Sequence, residues 1–415
     1  MECHDIVCKT GEVVVVGGVR RSALISLSNL SDQRIRGAKM GEWWNENPQR
    51  ALANNSVAYT EKPDPGIFMK EWLSLYESKS GERGMFNRAS AQAKAAENGR
   101  RNPDWDFGTN PCSEIILRPN QFCNLTEVVC RSTDTMTTLV KKVKLATILG
   151  TIQSTFTNFG YLRKRWQNNT EEERLLGVSL TGIMDCVELN TIDGLAPRLE
   201  TLKKHAVDTN KALADKLGIP QSTAITCVKP SGTVSQLVDS ASGIHARHNP
   251  YYIRTVRGDK KDPLTEFMKD QGIPCEDDVM QPNNSVFSFP MKADPSAIFR
   301  YTMTAIEQLE IWKCYAQHWC EHKPSVTISV KEHEWINVGN WCWDNFDTLS
   351  GISFLPFSDH TYQQAPYQDI DEIQYNDLQS KMPNGIDWSK LQDYETEDNT
   401  RGSQELACKA GSCEL

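Results

Sequence analysis

The period of the apolar positions changes along the chain, and each change marks an element. Glu12 to Val16 carries four consecutive valines and runs into Gly17-Gly18. Such a run reads as a buried parallel strand entering a tight loop. A strand of that kind needs neighbours on both sides, and little chain stands before it. Later segments or a second polypeptide must supply them. ALISLSNL follows as a second short apolar stretch, then the Trp-bearing, helix-like region MGEWWNENPQRALANNS. Residues 66–77 have helical spacing, and residues 94–106 are polar and turn-rich. NPCSEIILRPNQFCNLTEVV predicts loop, short strand, loop and second strand. Two long helices are expected in LVKKVKLATILGTIQSTFTNFG and LETLKKHAVDTNKALADKLG, the second closing on Gly218. STAITCVKPSGTVSQLVDS reads as strand, turn and helix, AIFRYTMTAIEQLEIWKCYAQHWCEH as a long amphipathic helix, and SVTISV as a β-branched strand after Pro324. From about residue 360 periodicity fades into a flexible acidic tail. There is no internal repeat, and alternating helices and strands predict an α/β fold.

Composition narrows the function classes. The net charge is −9, which argues against bulk binding to nucleic acid or to acidic membranes. No run approaches the length of a membrane span, and no cleavable signal is recognised, so a cytoplasmic setting is expected. The 13 cysteines are scattered rather than framed, which fits free thiols with a few redox-active ones.

Some of those thiols sit in chemical company. Asn110, Cys112 and Glu114 alternate, so in an extended loop tip all three side chains can share one side. A thiol between an amide and a carboxylate suits radical or acid–base chemistry on a polar substrate. Cys123 lies beyond the turn Arg118-Pro119-Asn120, and a hairpin can bring its sulfur near Cys112. A buried, inert cysteine is the plain alternative at each position. In KPSGTVS, Lys229 to Ser235, a turn opening a helix aims N–H groups and hydroxyls at an anion, although Ser and Thr cap most helices. Cys408 and Cys413 stand in a glycine-bearing tail; a zinc site would need two more ligands, and Cys3, His4 and Cys8 make a poor second half. His245 and His248 flank Arg247 in a polar loop. His318 and His322 are four apart near Cys314 and Cys320, more in keeping with packing than with metal. The tryptophan pairs Trp43/Trp44 and Trp341/Trp343 read as packing residues.

The Asn110-x-Cys112-x-Glu114 stretch resembles the finger loop of ribonucleotide reductase catalytic subunits. That resemblance implies a thiyl radical at Cys112 taking the ribose 3′-hydrogen, Glu114 as base on the 3′-hydroxyl, and Asn110 as orienter. It implies for Cys123 one half of the dithiol that reduces the 2′ position, and for Cys408 and Cys413 the shuttle dithiol that restores it. Gly18, Val19, Arg20, Arg21 and Ser22 resemble the loop linking the allosteric specificity site to the substrate base. Ser231, Gly232, Thr233, Val234 and Ser235 resemble the substrate-phosphate loop. SGIHARHNPYYIRTVRG and FLPFSDHTYQQAPYQ are similar to segments of the adenosylcobalamin-dependent class. No Tyr-Tyr pair follows Tyr251-Tyr252, and no glycyl-radical motif is present, so adenosylcobalamin is the implied radical source. The alternatives are a large subunit of the metal-dependent class or a non-catalytic nucleotide-binding remnant.

The implied fold is the C-terminal part of a ten-stranded α/β barrel with a finger loop at its centre. Residues 1–100 would end the first half-barrel, 101–358 form the finger and second half-barrel, 359–397 an irregular extension, and 398–415 the redox tail. The resemblance leaves most of the first half-barrel unmatched, together with the cysteine that pairs with Cys123. A separate N-terminal polypeptide is therefore expected as partner. A ribonucleoside di- or triphosphate is the expected substrate, and a thioredoxin- or glutaredoxin-like protein the reductant.

Overall fold

The computed structural model describes residues 1–12, 22–279, 282–357 and 363–395, and the backbone of 15–16 and 19–20. The described chain divides into two compact units. The first holds residues 24–247 and 296–357. Three strands come first: β1 (Leu24–Ser28), β2 (Ala53–Tyr59) and β3 (Gly84–Asn87), mutually parallel in the order given. Four more follow: β4 (Asn124–Val129), β5 (Leu176–Thr181), β6 (Val326–Val330) and β7 (Ile352–Pro356). β4 pairs parallel with β5, and β6 with β7. Residues 224–228 bridge β5 to β6 through the parallel contacts Val178–Thr226 and Val228–Pro324. The two sets meet at a single antiparallel contact, Ile352 to Met85. The resulting order is β4, β5, 224–228, β6, β7, β3, β2, β1.

Every residue of β5 is buried, as a central parallel strand with both faces covered requires. Its Leu176, Val178 and Leu180 enter the main apolar core, which leaves Gly177, Ser179 and Thr181 for the opposite face. Helices α1 (Pro65–Ser78), α2 (Arg88–Glu97), α3 (Met136–Gln153), α4 (Leu195–Leu217), α5 (Ala305–His318) and α6 (Trp335–Asp344) connect the strands. α4 stops at Gly218 in the left-handed conformation, as its sequence predicts. α5 begins later than the apolar pattern suggests, because Thr304 and Glu307 form a reciprocal capping box. The indoles of Trp312 and Trp319 donate to the carbonyls of Pro324 and Cys227, tying α5 and the chain just after it to the strand layer.

The second unit holds residues 2–23, 248–295 and the chain from 358 onward. Its sheet is built on Tyr251–Asp259, paired antiparallel with Asn284–Lys292 and with Tyr367–Asp369. Here the structure corrects the sequence reading: Glu2–Glu12 is helical, and Val15–Val16 pairs antiparallel with Val19–Arg20 where a parallel strand was expected. The region after residue 360 contains a strand and the helix Glu372–Lys381, which buries no residue and so shows no apolar stripe. Residues 94–97 belong to α2, not to the turn-rich stretch, and the helix after KPSGTVS is a single turn, Val234–Leu237. Among the described residues no helix is long and apolar enough to cross a membrane.

Candidate active site

The centre of the site is a turn between two short antiparallel strands, Gly108–Thr109 and Ile116–Leu117. Asn110 shapes the turn: its carbonyl accepts from Ser113 N–H at 2.8 Å and its Oδ1 from Ile115 N–H at 3.0 Å. Ser113 takes φ +67°, so the tip curls rather than extends. This differs from the alternating arrangement expected of an extended tip, because the Asn110 side chain closes its own turn.

Cys112 is half-buried and lines a cavity of about 310 Å³. Around it stand Asn54, Asn55 and Ser56 of β2, Ser325, Thr327 of β6 and Ser353 of β7. Asn54 Nδ2 donates to the Pro111 carbonyl at 2.8 Å, which fixes the tip against the first strand set. Glu114 is fully buried. Neither of its carboxylate oxygens has a hydrogen-bond partner of good geometry. Burial pushes its proton affinity up, against the pull of the nearby Asn110 amide and the Lys229 and Lys323 charges.

The residues beneath the tip hold it residue by residue. Ile116 N–H donates to His322 Nδ1 at 3.3 Å, while His322 Nε2 meets the Leu176 carbonyl at 3.0 Å. Both ring nitrogens are thus engaged, and burial keeps the imidazole neutral. Lys323 N–H donates to the Glu114 carbonyl at 3.0 Å. Beyond Leu117 the chain is clamped again: Arg101 pairs with Glu173 at 2.9 Å inside the protein, and Arg118 with Glu172 at 3.0 Å. Gln121 Oε1 accepts from Arg118 N–H at 2.9 Å. Asn120, at φ +60°, then turns the chain toward Cys123.

Cys123 packs over β5, where a Cβ built on Gly177 would lie 3.2 Å from its Sγ. Burial and then the Glu114 charge raise its thiol proton affinity, so Glu114 and Cys123 share one electrostatic environment. All cysteines among the described residues are free thiols.

Of the phosphate-type loop, Ser231 sits at φ +55° with its Oγ donating to Glu127 Oε2 at 2.5 Å. Gly232, Thr233 and Val234 are exposed. Ser235 is buried, its hydroxyl spent on Ser242 at 2.7 Å and its N–H on the Ser231 carbonyl at 3.1 Å. Of the specificity-type loop, Val19 and Arg20 form a two-residue strand and Ser22 is half-buried. Gly18, Arg21, Cys408 and Cys413 lie outside the described residues.

His245 is held between the Ser242 carbonyl at 2.8 Å and Thr327 N–H at 3.0 Å, and Arg247 pairs with buried Asp185 at 2.9 Å. His318 meets Glu200 at 2.7 Å. Sequence reading missed Lys323, Glu127 and the β2 asparagines. A lysine directly before the proline that opens an apolar strand was the available signal for the first.

The chain is similar over most of its length to curated proteins whose function has a name. It is 27% identical over 408 residues to the adenosylcobalamin-dependent ribonucleoside-triphosphate reductase of Lacticaseibacillus paracasei, covering 90% of this chain and 54% of that protein. It is 25% identical over 453 residues to the protein of the same name from Lactobacillus delbrueckii subsp. bulgaricus, covering 100% and 60%. No protein-family model matches. Among solved structures, a B12-dependent (class II) ribonucleotide reductase superposes with a TM-score of 0.72 at 22% identity, over 91% of this chain and 56% of that one. The Actinobacillus ureae class Id ribonucleotide reductase alpha subunit gives 0.54 at 14% identity, over 80% and 70%. The chain therefore spans between 54% and 60% of the length of these curated relatives. In sequence the chain is similar to adenosylcobalamin-dependent ribonucleoside-triphosphate reductases, and in fold to a B12-dependent (class II) ribonucleotide reductase.

Proposed function

We propose that the chain carries the radical-bearing part of a ribonucleotide reductase site and acts with a separate N-terminal polypeptide. The observation that carries this reading is Cys112 on a polar cavity, with Glu114 buried and unpartnered behind the same turn. Amides and hydroxyls of β2, β6 and β7 give the cavity donors and acceptors suited to a ribose and its phosphates. The relatives' names point to a ribonucleoside triphosphate as substrate. Cys112, as a thiyl radical, takes the 3′-hydrogen, and Glu114 takes the 3′-hydroxyl proton; its raised proton affinity brings it nearer the working pH of a base. Asn110 orients the turn.

In the net reaction two thiols become a disulfide, the 2′-hydroxyl leaves as water, and the 2′-carbon gains hydrogen. Cys123 supplies one sulfur, and its partner comes from the N-terminal polypeptide. Cys408 and Cys413 then restore the pair by thiol exchange and are themselves reduced by a thioredoxin- or glutaredoxin-like protein. Gly232, Thr233 and Val234, exposed on their loop, are positioned to meet the phosphates, with Ser231 and Ser235 as the buried supports. Gly18, Val19, Arg20, Arg21 and Ser22 are the proposed specificity loop.

Adenosylcobalamin supplies the radical equivalent when bound. His245 and His322 are each committed at both ring nitrogens, so this part of the protein fits a cobalamin that needs no imidazole from it. The free thiols accord with a cytoplasmic setting.

The test mixes this chain with the N-terminal polypeptide, adenosylcobalamin and a dithiol. Cys112→Ser is expected to bind nucleotide and abolish turnover, and Glu114→Gln to slow it by about 10²–10⁴-fold. Turnover by Cys112→Ser overturns the assignment, and turnover by the wild-type chain alone overturns the split.

A further inference from the structure

Lys323 is buried behind the finger, and the reaction above leaves it without a task. Its Nζ donates to Ser350 Oγ at 2.7 Å and reaches Ser113 Oγ at 3.4 Å. The same atom stands 4.2 Å from the centre of the Phe86 ring. Two hydroxyls and a ring face hold the cation. Glu114 presents the complementary situation, a buried carboxylate whose oxygens are both unpartnered. The two residues belong to adjoining backbones, since Lys323 N–H donates to the Glu114 carbonyl. Two opposite charges are therefore held near each other, without contact, in a medium where such charges act strongly.

We propose that Lys323 is a positioning residue for Glu114: its ammonium, held by Ser113 of the finger and by Ser350, supplies part of the through-space field that sets how firmly Glu114 holds its proton. The inference takes the importance of Glu114 from the function proposed above.

Other groups face the pair. Around Glu114 stand Asn110, Lys229, Glu127, Cys123 and Cys227; near Lys323 stands His322, with Arg101 acting on that ring. Lys229 acts on Glu114 at least as strongly as Lys323 does, but it is half-exposed and shared with Glu127. Lys323 is the variable one: burial, opposed only by the Glu114 charge, brings its proton affinity down to about 7. It is charged below that pH and neutral above it, so the field on Glu114 changes within the physiological range. Ser113 makes the coupling local, because the residue that contacts the ammonium is also the left-handed residue that curls the tip.

The experiment reads the two groups directly in the full chain by carbon-13 NMR, with labelled glutamate carboxyl and lysine ε-carbons. Signals are assigned with Glu114→Gln and Lys323→Met. In wild type the Glu114 carboxyl shift is expected to show a step at the pH where the Lys323 ε-carbon titrates. In Lys323→Met the step disappears and the Glu114 midpoint rises by about one pH unit or more. A Glu114 signal that ignores the Lys323 titration overturns the proposal, as does an unchanged midpoint in Lys323→Met. The wild-type titration stands even if the variant fails to fold. Neither reading uses turnover, so loss of the enzyme assignment leaves the result interpretable, and failure here leaves that assignment untouched.

Discussion

Gly177 has room for no side chain. A methyl group there would lie 2.5 Å from Leu125 Cδ2 and 3.0 Å from Ile115 Cδ1, besides crowding the Cys123 sulfur. Gly177→Ala is expected to cost about 1–3 kcal/mol of stability, read as a lower denaturant midpoint. Cys123 itself should alkylate slowly at neutral pH compared with exposed Cys275, because its raised proton affinity leaves little thiolate. Its rate should continue to climb through the alkaline range, and peptide mass spectrometry after timed iodoacetamide treatment follows both thiols. Asn110, Cys112 and Glu114 could be singled out in the sequence because their spacing is local. Lys323 and Glu127 were not, since their meaning depends on burial and on partners such as Ser113 and Ser231, far away in sequence.

At the scale of elements, the finger depends on ion pairs that its own residues do not advertise. Arg101 and Glu173 are both buried, and Gln121 bridges them through its amide. Glu173→Ala leaves Arg101 buried without its charge partner, at an expected cost of about 3–5 kcal/mol. Thermal unfolding by circular dichroism measures it; a loss below 1 kcal/mol removes this clamp from the account. Helix ends with a chemical signature, such as Gly218 or the Thr304–Glu307 box, match the sequence closely. Elements without one do not. The helix Glu372–Lys381 buries nothing, so no period announced it.

At the scale of the molecule, alternation of helix and strand announced the α/β class, but strand order was not legible from it. The order leaves β1 and β4 at the two ends of the series, each with one side unpaired among the described residues. Unpaired edges are templates for association. The chain alone is expected to self-associate as its concentration rises, and to do so less once the proposed N-terminal polypeptide is added; light scattering across a dilution series tests this. Persistence of a monomer at high concentration would mean that both edges are already covered.

The two strand sets are joined by partners very far apart in sequence. Trp72 Nε1 donates to the Trp335 carbonyl across 263 positions, Asn87 to the Phe346 carbonyl across 259, and Lys323 to Ser113 across 210. Contacts of such separation require closing large loops before they return any stabilisation, and they slow folding. A ribosome would have released residues 24–87 long before the strands that complete their sheet exist. The cavity beside Cys112 is then among the last features to form, and the thiol proposed to carry the radical stays outside its finished surroundings until synthesis is nearly over.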